Sequence, residues 1–170
     1  MTSPLTQLLQ DEEIRQNRVE NVRTILVVLS GRSVVYDDAS LRQKIQMTYP
    51  EAKIYFVTTD AKPFGEKMSA SAKIDLLIDF TGVGHGHKWF FARRMRSRAR
   101  VCVGRNAGFF RAHIYDRVIA DEHYVEVGQD VISRERIIQR EVLAEAGVPL
   151  SHQGDLGRDL GKTIANSARR

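Results

Sequence analysis

Residues 82–88 hold the glycines, histidines and lysine best suited to contact an anion. Closely spaced glycines let backbone N–H groups approach a phosphate, and the start of a following helix favours negative charge. The spacing is GxGxG rather than the GxGxxG of dinucleotide-binding loops, and the segment does not have the GxxxxGK[ST] pattern of triphosphate-binding loops. The segment therefore predicts either an anion cradle or a flexible strand–helix turn. The residues of the predicted cradle are Gly82, Gly84, His85, Gly86, His87 and Lys88.

The two histidines of this segment also raise the question of a metal site. His85 and His87 lie two positions apart, but a zinc site needs at least a third protein ligand. Asp79 and His113 are candidates, although nothing in the spacing fixes their geometry. We expect no metal site and no cofactor, and we interpret the histidines as phosphate donors or ordinary loop residues.

A second cluster of chemistry-bearing residues is strongly basic. Seven arginines fall within the nineteen residues 93–111, and aromatic side chains are interleaved with them. Arginines and aromatics together can bind phosphates and stack on bases, as nucleic-acid-binding proteins do. The other interpretation is an amphipathic helix with buried aromatics and solvated arginines. The seven arginines are Arg93, Arg94, Arg96, Arg98, Arg100, Arg105 and Arg111.

Alternating strands and helices must position these residues. Continuous apolar, mostly β-branched runs predict buried strands at residues 24–29, 53–58 and 74–80, with shorter strands at 101–103 and around 118–119. Helices are predicted at about 38–49, where Asp38 to Ser40 form the cap, at 87–98 and at 133–146. The last helix should end at Gly147, which Pro149 follows.

This alternation predicts a single Rossmann-like α/β domain: an open, mostly parallel sheet with helices on both faces. We expect the domain to span residues 22–150, with a leading helix over residues 1–20 and a flexible basic tail over 151–170. In the leading helix, Leu5, Leu8 and Leu9 are the expected docking stripe, and Ile14 is less well placed.

Right-handed crossovers would bring the loops 30–38, 59–65, 81–88 and 104–113 to the carboxyl edge of such a sheet, where its ligands bind. This edge adds to the predicted ligand-binding set Ser30, Gly31, Arg32, Arg105 and Arg111.

The composition limits the class of protein. The 170 residues are 42% hydrophobic and 28% charged, which is typical of a globular domain. No apolar run approaches the roughly 20 residues of a membrane span, and no signal peptide is evident, so we expect a cytoplasmic protein without a membrane span. Cys102 is the only cysteine, which excludes an internal disulfide, and we expect it in the core. The net charge of +5 favours an anionic partner.

The order of the motifs resembles the amino-terminal half of the ADP-heptose:lipopolysaccharide heptosyltransferases, glycosyltransferase family nine. The resemblance covers about residues 22–150. Its elements are the first strand at 25–30, an A-x-L-R element at 39–42, Pro50 to Val57, and residues 73–82, which resemble Y-D-L-V-I-D-L-Q-G. Further elements are the basic stretch 92–100 with Val103-Gly104, Tyr115 to Arg117, and residues 143–150, which resemble L-L-x-x-L-G-I-P.

This resemblance implies the acceptor-binding half of a two-domain GT-B fold. The chain departs from the family in two ways. The Gly-Asp pair whose Asp is the proposed catalytic base is absent, although Asp37 or Asp38 could lie nearby. The chain also ends where the family's donor-binding domain would begin. We therefore expect it not to be an enzyme by itself.

Three functions remain open. The first is a non-catalytic glycosyltransferase-like domain with a regulatory or scaffolding role, which binds an anionic sugar, a nucleotide or a protein partner. The second is the acceptor subunit of a split glycosyltransferase, with the donor domain on another chain and Asp37 or Asp38 as general base. The third is a nucleic-acid-binding module that uses the arginine-rich helix. A homo-oligomer, most simply a homodimer, is expected because apolar surface left by a missing domain would be covered.

Overall fold

The sheet consists of five parallel strands. The computed structural model describes residues 4–29, 38–58, 72–81, 96–106, 115–120 and 131–149. The strands are β1 (Thr24–Leu29), β2 (Lys53–Thr58), β3 (Ile74–Asp79), β4 (Ala99–Asn106) and β5 (Arg117–Ala120). Their order across the sheet is β2-β1-β3-β4-β5, and every neighbouring pair is parallel. The predicted Rossmann-like α/β fold is therefore confirmed.

Three helices accompany the sheet in the described ranges: α1 (Pro4–Gln16), α2 (Asp38–Thr48) and α3 (Val131–Glu145). The predicted leading helix is present, and α2 begins at the expected cap residue, Asp38. The predicted helix over 87–98 lies outside the described residues except for its last three positions. None of the helices described is long and apolar enough to span a membrane.

The core lies on both faces of the sheet because side chains alternate along each strand. One face buries Ile25 and Val27 of β1 together with Leu41 of α2 and Val142 of α3. The opposite face buries a second cluster, which includes Leu26, Leu77, Cys102 and Tyr115. Burial on both faces explains why the central strands read as continuous apolar runs. The prediction that Cys102 is a core residue is confirmed, since its side chain is fully buried.

The segment after α1 is attached to the domain through Tyr49, at the end of α2. The buried Tyr49 hydroxyl accepts a hydrogen bond from the Val19 N–H at 3.1 Å and donates one to the Ala146 carbonyl at 2.7 Å. Gly147 ends the adjoining helix α3 with a φ of +73°, as predicted for a C-cap glycine. Three segments distant in sequence therefore meet at one tyrosine.

The packing of α1 differs from the sequence prediction. Leu8 and Leu9 of the expected stripe are exposed, at 67% and 66%, whereas Ile14 is 8% exposed and packs inward. The reason is that α1 is fixed near its carboxyl end, by the bonds around residues 17–19, and its buried position therefore lies in its last turns. Strand β4 is also longer than the predicted 101–103, because it pairs along most of its length with β3.

Candidate functional site

The strand order creates a switch point at the carboxyl ends of β1 and β3. From β1 the chain goes to β2 on one side, and it then crosses to β3 on the other side. Connections that leave neighbouring strands in opposite directions open a crevice, which is where ligands of doubly wound sheets bind. Val28 pairs with Asp79 in the register of the two strands, and the Phe80 N–H donates to the Val28 carbonyl at 3.0 Å. The two strand ends are therefore adjacent.

Two of the predicted ligand-binding segments follow these two strand ends in the chain. Residues 30–32 follow Leu29, the last residue of β1, and residues 82–88 follow Thr81, two positions beyond β3. Most of the predicted site lies outside the described residues, so the structure fixes only where these segments leave the sheet. The residues concerned are Ser30, Gly31, Arg32, Asp37, Gly82, Gly84, His85, Gly86, His87, Lys88 and Arg111.

Arg105 and Asp38 are the two predicted residues whose positions are described. Arg105 lies near the carboxyl end of β4, on the same edge as the switch point, but its side chain is only 5% exposed and is already engaged in an interaction. Asp38 is the first residue of α2, the helix entered from the carboxyl end of β1. Arg105 would thus contact a ligand only with the part of its side chain that remains accessible.

A buried carboxylate, which the sequence indicated only as a candidate metal ligand, lies at this edge. Asp79, the last residue of β3, is 2% exposed. Its Oδ1 accepts hydrogen bonds from the Thr81 N–H at 2.8 Å and the Thr81 hydroxyl at 2.6 Å. Its Oδ2 accepts a bond from the Tyr115 hydroxyl at 2.5 Å. Three donors therefore compensate the burial of this charge, as a buried carboxylate requires.

Tyr115 reaches Asp79 by passing over β4 at a glycine. Asp79 and Gly104 are partners in the register of β3 and β4. A Cβ added to Gly104 would lie 2.4–2.7 Å from atoms of the Tyr115 ring, which real side chains do not tolerate. Gly104 is thus required by the close approach of the ring. The signal in the sequence was an acidic residue that ends an otherwise apolar strand, but its partner, 36 positions away, could not be identified without the fold.

Among the arginines of this cluster that the structure describes, Arg96, Arg98 and Arg100 bond the chain's own backbone or carboxylates. Arg98 donates to the Ala72 carbonyl at 2.8 Å and 3.2 Å, and Arg100 donates to the Glu20 carbonyl at 2.6 Å. Arg96 forms an ion pair with Asp116 at 2.7 Å. Arg98 and Arg100 lie at the amino end of β4. Because β3 and β4 are parallel, the chain must cross the length of the sheet between the carboxyl end of β3 and this position. These two arginines are therefore remote from the switch point.

A basic groove of about 260 Å³ lies near the carboxyl ends of the three helices. Arg15, Arg18 and Lys44 line it, and none of the described lining residues is acidic. Arg15 lies in the last turn of α1, where the partial negative charge of the helix dipole favours a cation, and the same charge at a helix carboxyl end disfavours an anionic ligand. The Arg18 guanidinium also lies 5.6 Å from the centroid of the Tyr49 ring. We therefore assign these cations a structural role.

The thiol of the single cysteine, Cys102, has low reactivity. Burial raises the pKa of the Cys102 thiol to about 11, although the neighbouring Arg96 acts in the opposite direction. A thiol with so high a pKa is almost entirely protonated near neutral pH, and the thiolate is the nucleophile. Cys102 is therefore not positioned for nucleophilic catalysis.

In the ranges that the structure describes, no three metal-ligating side chains come together.

Comparison with known protein families, with curated protein sequences and with solved structures found no match to this chain.

Proposed function

We propose that this chain is a heptosyltransferase-like α/β domain that acts by binding a phosphate-bearing sugar or nucleotide at the carboxyl edge of its sheet. The observation that carries the proposal is the strand order, because it makes the ends of β1 and β3 the switch point. The segments that follow these two ends contain Ser30, Gly31 and Arg32, and the glycine-rich run from Gly82 to Lys88. Ligand sites of doubly wound sheets form where such strand ends diverge.

The choice of an anionic ligand rests on the residues of these segments. Glycines leave backbone N–H groups accessible, and lysine, arginine and histidine add charge-assisted donors for phosphate oxygens. The only acidic side chain described in contact with this edge, Asp79, has both oxygens hydrogen-bonded within the protein. It is therefore occupied as an acceptor, which supports binding rather than general-base catalysis by this group.

One observation supports the alternative of a split glycosyltransferase. Asp38 begins α2, which the chain enters from the carboxyl end of β1, so Asp37 and Asp38 belong to the connection that leaves the switch point. A carboxylate there would be the candidate base toward an acceptor hydroxyl once a donor-domain chain is bound. Transfer activity that appears only with such a second chain would favour this function.

The nucleic-acid alternative is less well supported by the described arginines. Arg96, Arg98 and Arg100 already bond groups of this protein, and breaking those bonds would oppose phosphate contacts. A cytoplasmic location and a homodimer complete the proposal, and neither follows from the fold.

Isothermal titration calorimetry with glucose 6-phosphate, ADP and neutral glucose tests the proposed binding. We expect heat of binding with at least one of the two phosphate-bearing probes and none with glucose. Lys88→Ala should weaken that affinity about tenfold, the loss of one charge-assisted contact. Lys73→Ala is the matched control, since Lys73 is an exposed lysine that precedes β3 at the opposite edge. Arg105 is left intact because its burial would confound binding with stability.

The proposal fails if neither phosphate-bearing probe binds, or if Lys73→Ala and Lys88→Ala weaken binding equally. In the second case the charge effect would be general rather than located at the switch point.

A further inference from the structure

The buried hydrogen-bonded group of Asp79, Thr81 and Tyr115 lies at the switch point and takes no part in the binding described above. We propose that this group, the edge tie, positions the two predicted ligand-binding segments that adjoin it in the chain, residues 82–88 and the segment of Arg111, with Asp79 as its central positioning residue. The inference rests on the proposed function and deepens it, because it names what holds the site in shape.

The position of the edge tie in the chain is the first argument. Thr81 directly precedes Gly82, the first residue of the glycine-rich segment. Tyr115 follows by four positions Arg111, which belongs to the segment between β4 and β5. The tie therefore joins the start of one predicted binding segment to the end of another, across the intervening strand β4.

The bonding of Asp79 is the second argument. Its Oδ1 holds both donors of Thr81, and its Oδ2 holds the Tyr115 hydroxyl, so each oxygen fixes a different segment. Buried charges contribute little net stability compared with apolar residues of the same volume, whereas their hydrogen bonds have defined directions. The carboxylate therefore fixes the positions of its hydrogen-bond partners more than it stabilises the fold.

The third argument is the space that Gly104 leaves for the Tyr115 ring. Gly104 lacks a side chain where a Cβ would meet the ring at 2.4 Å, and the ring can therefore cross β4 and reach Asp79. Position 104 belongs to β4, where glycine is unfavourable by intrinsic preference. Its presence is explained by the tie.

The edge tie is not itself a contact for the ligand. The Asp79 carboxylate is buried, and an unscreened negative charge would repel a phosphate. Its three donors partly offset that charge and keep it beneath the edge. The tie thus acts through the segments it holds.

The Tyr115→Phe variant tests this proposal, with Tyr49→Phe as the matched control. Both substitutions remove a buried tyrosine hydroxyl that is hydrogen-bonded across the fold, but Tyr49 contacts Val19 and Ala146, far from the switch point. Both should lower the melting temperature. The probe is glucose 6-phosphate or ADP, whichever the wild type binds. Only Tyr115→Phe should weaken binding of this probe. We expect calorimetry at 15 °C to show a loss of affinity of about tenfold.

Asp79→Asn is the second variant, and it keeps the size of the side chain while removing the charge. With Asn the three bonds lose their charge assistance, and one of the two partners must face the amide NH2 group in place of an acceptor oxygen. We expect a loss of affinity at least as large as that of Tyr115→Phe. This variant decides the question if Tyr115→Phe does not fold.

The outcomes separate the two proposals. If the wild type binds a probe and the folded Tyr115→Phe and Asp79→Asn variants bind it equally well, the positioning role is overturned and the proposed function stands. If Tyr49→Phe weakens binding as much as Tyr115→Phe, the loss reflects general destabilisation and the positioning role is again overturned. If the wild type binds neither phosphate-bearing probe, both proposals fall.

Discussion

Polar side chains at single positions connect parts of the chain that are far apart in sequence. Tyr49 joins the segment after α1 to the end of α3, and Asp116 binds the Cys102 N–H at 2.7 Å while it pairs with Arg96. Burial raises the pKa of the Tyr49 hydroxyl above its usual value, with the Val19 N–H and two nearby arginines opposing the shift. The buried Tyr49 hydroxyl and the N–H of the buried Cys102 each have a specific partner, because an unpaired polar group in the interior is costly.

Cys102 gives a prediction at the residue scale. The folded protein holds the thiol proton up to a pKa of about 11, whereas the unfolded chain releases it near 9.0. The folded state therefore binds more protons in this window, and stability should fall as pH rises from 9 to 11. The loss should reach about 2–3 kcal/mol, from two units at about 1.4 kcal/mol each. Urea unfolding of the wild type and Cys102→Ala at pH 8, 9, 10 and 11 measures it.

Cys102→Ala should lack this part of the pH dependence. The raised pKa of Tyr49 acts in the same direction above pH 10 and is common to both proteins, so the difference between the curves isolates the cysteine. Parallel curves for the two proteins would contradict the prediction.

At the scale of elements, the strands follow from the sequence more closely than the packing of the helices does. β1 and β2 begin and end at the predicted residues, because a run buried on both faces has an unambiguous apolar pattern. Helix α1 exists as predicted, but Ile14 is its buried apolar position instead of Leu8 and Leu9. An amphipathic pattern with few apolar residues does not determine which of them meets the domain.

The end of α3 gives a prediction at this scale. Gly147 adopts the left-handed conformation, and a Cβ there would lie 2.5 Å from the backbone of Arg18. Gly147→Ala should therefore destabilise the protein by about 2–4 kcal/mol, since it adds overpacking to backbone strain. Urea denaturation measures the change.

Asn21→Ala is the control for this prediction. Asn21 also has a positive φ, of 54°, but it is exposed, so its substitution should cost about 1 kcal/mol from backbone strain alone. Equal losses for the two variants would show that the segment after α1 does not pack closely against Gly147.

For the whole molecule, the order of the strands decides where a ligand can bind. The sequence predicts strands that alternate with helices, but the position of the switch point between β1 and β3 follows only from the pairing. The same pairing places Arg98 and Arg100 at the amino end of β4, whereas Thr81 follows the carboxyl end of β3. These two arginines are near in sequence to Thr81, but they lie at the opposite end of the parallel strands.

The proposed homodimer gives a prediction for the whole molecule. Leu8 and Leu9 are large exposed apolar residues on α1 and are the described side chains best suited to pack against a second copy. We expect light scattering coupled to size-exclusion chromatography to give twice the mass of the chain. The Leu8→Ser, Leu9→Ser double variant should elute at the monomer mass without loss of helical content.

Met47→Ser is the matched control, because Met47 is equally exposed on another helix. A monomeric wild type would refute the homodimer, and a double variant that remains dimeric would place the interface elsewhere.

By itself, the sequence determined the fold class, the main strands, the leading helix and the glycine at the end of α3. These features depend on local patterns of apolar residues and on the conformational freedom of glycine. Only the tertiary structure decided that Tyr115 crosses Gly104 to reach Asp79, that Ile14 anchors α1, and that β1 and β3 meet at the switch point. The physical reason is that each of these contacts joins residues distant in the chain, and their meeting depends on the strand pairing, which no local pattern encodes.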